Sequence, residues 1–297
     1  MLFRSAGRRL LAGGVILSLA LPFVTQDAAA QGTTQVLTPF GYRDSANVHH
    51  VPNGYELVTM PDEHIRMQNP TSGDYIDFPK PVVTNQQRVP VSDSGWITFA
   101  SWYNPYRKPI SSFGTDWYVP PIPSTYYGQT IFLFNSIEPA AGNAILQPVL
   151  QYGPSAAGGG DYWAVTSWYV VGNQAYVGGL YYVTPGTFLG GQIQLIGQTK
   201  KHFSYTCDFY GYSGTTITVR GIPQLVWATE TLEVYGVTQC TEFPNTAYSQ
   251  MFAVSLRLKG GITPAVGWSV TNAETACGVQ TTIVADGGSD GAVNIYY

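Results

Sequence analysis

The run Leu225-Val226-Trp227-Ala228-Thr229-Glu230-Thr231-Leu232-Glu233-Val234-Tyr235 decides the fold. It is built from β-branched and aromatic residues at period two, which is how a strand with two different faces is written. Val226, Ala228, Glu230, Leu232 and Val234 fall on one face. Trp227, Thr229, Thr231, Glu233 and Tyr235 fall on the other. Polarity makes the second face the wetter one, so alternation assigns Glu233 to it and leaves Glu230 on the dry side. A second run, Ala144-Ile145-Leu146-Gln147, sets an amide in an apolar strand in the same way. There Ile145, Gln147, Val149 and Gln151 share a face. Buried polar groups of this kind are costly unless they are partnered or used. A carboxylate able to take a proton from water, facing an amide able to steady an oxyanion, is sufficient chemistry to hydrolyse a peptide bond.

The rest of the chain repeats the strand signature. Runs of Tyr, Val, Thr, Ile, Trp and Phe, broken by Gly, Pro and Asn clusters, predict strands over 96–102, 113–118, 130–135, 144–152, 162–170 and 175–183. Further strands are predicted over 188–196, 203–210, 215–219, 225–235, 251–259, 279–285 and 293–296. Helix signals are nearly absent. This many short strands in about 200 residues predicts one all-β domain over 93–297, a two-sheet antiparallel β-sandwich.

Two N-terminal segments precede it. Residues 1–30 read as a secretory signal peptide: Arg4, Arg8 and Arg9, an apolar stretch from Leu10, then Ala28-Ala29-Ala30 as cleavage site. The apolar stretch is short and closely followed by Asp27, which argues against a stable membrane span. The expected location is therefore secreted, periplasmic or extracellular. Residues 31–92, with Pro52, Pro61, Pro70, Pro79, Pro81 and Pro90, read as an irregular segment, either a propeptide or an arm.

Without residues 1–30 the chain keeps 11 basic and 17 acidic residues, a net charge of about −6. No basic patch interleaved with aromatics is present, which argues against a nucleic-acid partner. Charged residues are 11% of the chain against 14% aromatic, so its net charge responds weakly to acid, which suits an acidic exterior. His49, His50, His64 and His202 lack metal-ligand spacing, so neither metal nor cofactor is expected. Of Cys207, Cys240 and Cys277, the expected disulfide is Cys207–Cys240, because both lie at ends of strand-like segments flanking the Glu230 strand.

The order of several short motifs resembles the eqolisins, the glutamic peptidase family. The motifs are Asp116-Trp117-Tyr118-Val119-Pro120, Ala144-Ile145-Leu146-Gln147, Ser167-Trp168-Tyr169 and Thr229-Glu230-Thr231-Leu232-Glu233, with Pro185-Gly186-Thr187-Phe188-Leu189 at an intervening turn. The similarity covers residues 111–260. It implies a concanavalin A-like or jelly-roll type sandwich with a groove on one concave face. It further implies a secreted acid endopeptidase with a protein or peptide substrate. Aligned by motif, the catalytic pair falls on Gln147 and Glu230, with Asn135, Gln151 and Trp168 as substrate-binding neighbours, to which strand alternation adds Glu233. Alternation and motif order disagree over which glutamate enters the groove; motif order selects Glu230. Asn135, Gln151 and Ser167 stand where the family carries acidic residues, and Val165 where it carries tryptophan. That loss keeps open a catalytically silent or carbohydrate-binding or carbohydrate-active sandwich, for which a glycan would be the partner.

Overall fold

A computed structural model describes residues 34–83 and 95–297. The signal peptide expected over 1–30 lies outside them. Within the described residues the chain is all-β, and its strands assemble into a two-sheet sandwich. In chain order the strands are β1 (Gln35–Thr38), β2 (Gly41–Asp44), β3 (Val48–His50), β4 (Glu56–Thr59), β5 (Ile65–Gln68), β6 (Tyr75–Phe78) and β7 (Gly95–Tyr103). Then come β8 (Ile110–Tyr118), β9 (Thr130–Pro139), β10 (Ala144–Ser155), β11 (Gly158–Val171), β12 (Gln174–Val177) and β13 (Tyr181–Tyr182). The last are β14 (Phe188–Gln198), β15 (Phe203–Phe209), β16 (Tyr212–Ile222), β17 (Leu225–Tyr235), β18 (Tyr248–Leu258), β19 (Ser269–Asn272), β20 (Gln280–Ala285) and β21 (Gly291–Tyr296).

The first sheet runs β19-β7-β17-β9-β10-β11-β12-β3, with β13 beside β11. The second runs β20-β21-β18-β8-β14-β15-β16-β4-β5-β6. Pairing is antiparallel except at β12·β3 and β16·β4, where the N-terminal segment joins each sheet as a parallel neighbour.

The period-two pattern sets the packing. Ile97, Leu133, Leu150, Val165 and Leu232 of the first sheet meet Phe113, Trp117, Ile193, Ile217 and Leu256 of the second in one core. The opposite face of the first sheet carries a second apolar cluster that includes Trp96, Phe99, Phe132, Phe134, Ile145, Val149 and Trp168.

The irregular segment expected over 31–92 is strand-bearing where it is described. Leu57, Ile65 and Met67 join the main core, and β4, β5 and β6 form a meander on the second sheet. Its prolines carry no N–H for a ladder, but Pro61 and Pro70 fall between these four-residue strands and Pro52 and Pro79 just before and after them, none inside.

Candidate functional site

Gln147 and Glu230 do not meet. In β17 the register pairs Glu230 with Asn135 of β9, and both project into the space between the sheets. There Thr115 Oγ1 of the facing sheet donates to Glu230 Oε1 at 2.5 Å, and Glu230 Oε2 has no partner among the described residues. The residue is fully buried, and burial pushes its carboxyl well above the usual range, opposed by the Thr115 bond. Asn135 Nδ2 points at the Gly191 carbonyl at 3.5 Å. A Cβ at Gly191 would lie 2.6 Å from Asn135 Oδ1, 2.8 Å from Trp117 and 2.9 Å from Pro148. Only glycine fits this close approach between sheets. Glu230 and Asn135, the first expected in catalysis and the second in substrate binding, are thus sealed in the sandwich interior.

Gln147 belongs to the other face. Its neighbours along β10 on that side, Ile145 and Val149, lie in the outer cluster, and Trp168 of β11 stands opposite it. The pairing of Leu146 with Ile137, continued by one residue each way, sets Gln147 opposite Ser136 and Ile145 opposite Glu138. Ser136 in turn pairs with Thr229 of β17, and Thr229 with Ser101 of β7. The row across the sheet therefore reads Trp168, Gln147, Ser136, Thr229, Ser101. Its hydroxyls are linked: Ser136 Oγ and Thr229 Oγ1 are 2.7 Å apart, and Thr229 Oγ1 and Thr231 Oγ1 2.8 Å.

Glu138 lies on the same outer face, diagonal to Gln147 on the adjacent strand, a relation that brings such residues to about 7–8 Å. Gln147 is fully buried, and among the described residues neither its Oε1 nor its Nε2 has a hydrogen-bond partner. Trp168 beside it is equally buried, with Nε1 unpartnered among the described residues. Each such group costs roughly 1–3 kcal/mol relative to a satisfied one, so this corner of the sheet is held at a penalty.

Glu233 also faces outward, as alternation predicts and motif order does not. A register shift between Leu232 and Glu233 bends the ladder against β7 without moving Glu233 to the inner side. The register pairs Glu233 with Phe132 and Phe132 with Gln151, four residues along β10 from Gln147. At ~3.3 Å per residue and ~4.8 Å per strand, that leaves Glu233 more than ~15 Å from Gln147. Glu233 Oε1 accepts from Tyr235 Oη at 2.6 Å and from the Phe40 N–H at 2.8 Å. Burial raises its carboxyl to about 7, against the lowering effect of those two bonds and of the nearby Arg43. The β1–β2 hairpin covers this end of the face: Leu37 and Phe40 pack on the outer cluster, and the buried Arg43 donates to the Phe40 and Tyr42 carbonyls at 3.1 Å.

Gln151, expected to bind substrate, is occupied structurally. Its Nε2 donates to the Gly153 and Gly158 carbonyls at 2.8 and 2.9 Å, while Oε1 accepts from Ser155 Oγ at 2.8 Å. The amide clasps the β10–β11 hairpin at its register shift. Of the aromatics further along β11, Trp163 enters the main core and Tyr162 is exposed.

The disulfide joins Cys240 to Cys277, and Cys207 is a buried free thiol, not the expected partner of Cys240. Cys207 sits mid-strand on the inward face of β15, where the main core surrounds it. Cys240 and Cys277 lie in short 3-10 turns after β17 and before β20, with Cα atoms 5.3 Å apart.

No family model and no curated protein matches this chain. Among solved structures it is similar to a scytalidoglutamic peptidase bound to a peptide-based transition-state analogue. That match is 13% identical, covers 69% of this chain and 98% of the other, and has a TM-score of 0.43. It is also similar to SCP-B, an eqolisin-family peptidase bound to the tripeptide Ala-Ile-His, at 12% identity, 69% and 98% coverage, and a TM-score of 0.40. The likeness assigns no residue.

Proposed function

We propose that the chain is an exported hydrolase of peptide bonds, with its site on the outer face of the first sheet around Gln147 and Glu138. One observation carries the reading: the Gln147 amide is fully buried on that face, with both polar atoms unpartnered among the described residues. An amide held this way has donors to spare for an oxyanion, provided the covered face opens to substrate. In this scheme the Glu138 carboxylate takes a proton from water as the water oxygen adds to the scissile carbonyl. Gln147 Nε2 donates to the resulting oxyanion, and Glu138 returns the proton to the leaving amine. Export is supported by the leader pattern of residues 1–30 and by the Cys240–Cys277 bond, which suits an oxidising compartment.

The test is cleavage of an unfolded protein between pH 2 and pH 7, with or without chelator. Gln147→Ala and Glu138→Gln should each lower the rate at least a hundredfold while leaving the fold intact. No cleavage by the unaltered chain, or full cleavage by both variants, rejects the reading. A second reading, a sandwich that keeps the fold without chemistry, is favoured by the complete burial of Gln147, Glu138, Thr229 and Thr231. It predicts a stable protein with no cleavage at any pH.

A further inference from the structure

The outer face of the second sheet, remote from Gln147 and independent of the peptidase reading, carries a different kind of surface. Alternation along β8, β14 and β18 turns Tyr118, Phe188 and Phe252 outward. Phe188 is directly opposite Tyr118 in the ladder, and Phe252 is directly opposite Asp116. The Tyr118 and Phe252 rings are near-parallel, 28° apart with centroids 5.9 Å apart, and Phe188 meets Tyr118 edge-on at 5.6 Å. Tyr118 is 55% exposed and Phe188 48% exposed. Four residues back along β18, Tyr248 packs on Tyr296 at 5.3 Å and is also exposed.

A local irregularity serves this platform. The ladder between β18 and its neighbours shifts register after Met251 and Phe252, and Ala253 takes a φ of 49°. Left-handed backbone at a non-glycine residue is a strained conformation. Here the bulge sets Phe252 and Ala253 on the same outer side, where plain alternation would turn one of them inward.

Polar groups border the rings. Gln250 Nε2 donates to Asn294 Oδ1 at 3.1 Å, between the Tyr248–Tyr296 pair and Phe252. Beyond Phe252 a cleft is lined by Ser112, Asp116, Gln192, Gln194 and Ser255. Gln194 Nε2 donates to Gln192 Oε1 at 3.3 Å, so these amides are held in place. Asp116 accepts no hydrogen bond among the described residues, and its floor is kept clear by glycine: a Cβ at Gly190 would lie 3.1 Å from Asp116 Oδ1. Desolvation raises the Asp116 carboxyl above its ordinary range.

We infer that this trough binds a neutral oligosaccharide, with sugar rings laid on Tyr118, Phe188 and Phe252 and adjacent hydroxyls donating to the free Asp116 carboxylate. A pyranose has an apolar C–H face and a polar hydroxyl rim. It matches flat aromatic surfaces bordered by a carboxylate and fixed amides in a way that an acyl chain does not. The charge pattern sets the class. Asp116 and, across the ladder from Gln192, Asp208 are acidic, while the nearby Arg257 is engaged with the Gly288 carbonyl at 2.8 Å. Among the described residues two carboxylates outweigh this one guanidinium, which disfavours a polyanionic glycan. The span from Tyr248 to Phe252, about 13 Å along the strand, accommodates more than one ring.

The test is calorimetric titration of the full chain, as secreted, with cellohexaose, xylohexaose, laminarihexaose and chitohexaose in the millimolar range. At least one should bind, and Tyr118→Ala, Phe252→Ala and Asp116→Asn should each weaken that binding tenfold or more without shifting the melting temperature. Phe188→Ala, at a more exposed ring, supplies a further variant if Phe252→Ala disturbs the bulge. Failure of all four sugars to bind, or binding that survives all the variants, overturns the inference. So does self-association of the chain that the same variants abolish, or binding to neutral phospholipid vesicles in place of the sugars.

Discussion

Glu230 and Gln147 lie in the same sheet and face opposite ways: Glu230 bonds Thr115 of the facing sheet at 2.5 Å, while Gln147 stands opposite Trp168 on the outer side. A residue of β9 separates them in the ladder and the full thickness of the sheet separates their side chains. Glu230 is thus a buried structural acid. Removing its partner in Thr115→Val should cost about 1–3 kcal/mol in urea unfolding, because both carboxyl oxygens would then lie unpaired in the core. Glu230→Gln should keep the fold, because the neutral amide replaces a carboxyl already driven toward its neutral form. A Thr115→Val variant as stable as the parent would show that the bond contributes nothing.

Glu233 makes stability depend on pH. Its carboxyl titrates at about 7 in the folded chain, above its ordinary value, so the folded state holds the proton more tightly than the unfolded one. The associated stability is fully present below about pH 4.5 and is lost as pH rises through about 7. The size is on the order of 3 kcal/mol. Melting should be highest in mild acid and fall toward pH 8, and Glu233→Gln should flatten that fall. A melting temperature that rises from pH 5 to pH 8 would contradict this assignment.

The Cys240–Cys277 bond closes a loop spanning 37 positions. Loop-closure entropy of that length corresponds to about 3–4 kcal/mol. Cys277→Ser should lower stability by that order, and Cys207→Ala by no more than a small core substitution does. In the folded parent, thiol titration should find no reactive group, since Cys207 is buried and burial pushes its thiol up. One thiol should appear on denaturation. Rapid alkylation of Cys207 in the native state would count against the packing described.

Gly191→Ala tests how closely the two sheets approach at Asn135. The new methyl would press on Asn135, Trp117 and Pro148 at under 3.0 Å, two of them rigid core groups. Overpacking of this kind costs about 1–3 kcal/mol, and denaturant midpoints should fall accordingly. An unchanged midpoint would mean that the interior around Glu230 is looser than described.

Much of this was legible along the chain because strands announce themselves by alternation. The run over 225–235 reads directly, and its two faces are those of the folded sheet, with Glu233 outward and Glu230 inward. Motif order misled at Glu230, since a one-residue offset in a strand turns a side chain to the other face. Glu138 escaped notice for a different reason. The strand over 130–135 continues to Pro139, but Ser136, Glu138 and Pro139 resemble a turn when their neighbours in space are unknown. Carrying the alternation of Phe132 and Phe134 four residues further would have found Glu138. The disulfide and the strands over 35–78 depend on contacts distant in sequence, which proline spacing and cysteine order do not encode.

A double-mutant cycle on the rate of peptide cleavage at acid pH tests the central claim most directly. Residues that act as a unit give strongly non-additive losses, whereas separated residues add. Combining Gln147→Ala with Glu138→Gln should be scarcely worse than the more damaging single change, and adding Glu230→Gln to Gln147→Ala should only superimpose its own small effect. If Glu230 instead proves to be the partner whose loss is masked by Gln147→Ala, while Glu138→Gln leaves the rate intact, the placement of the site is wrong.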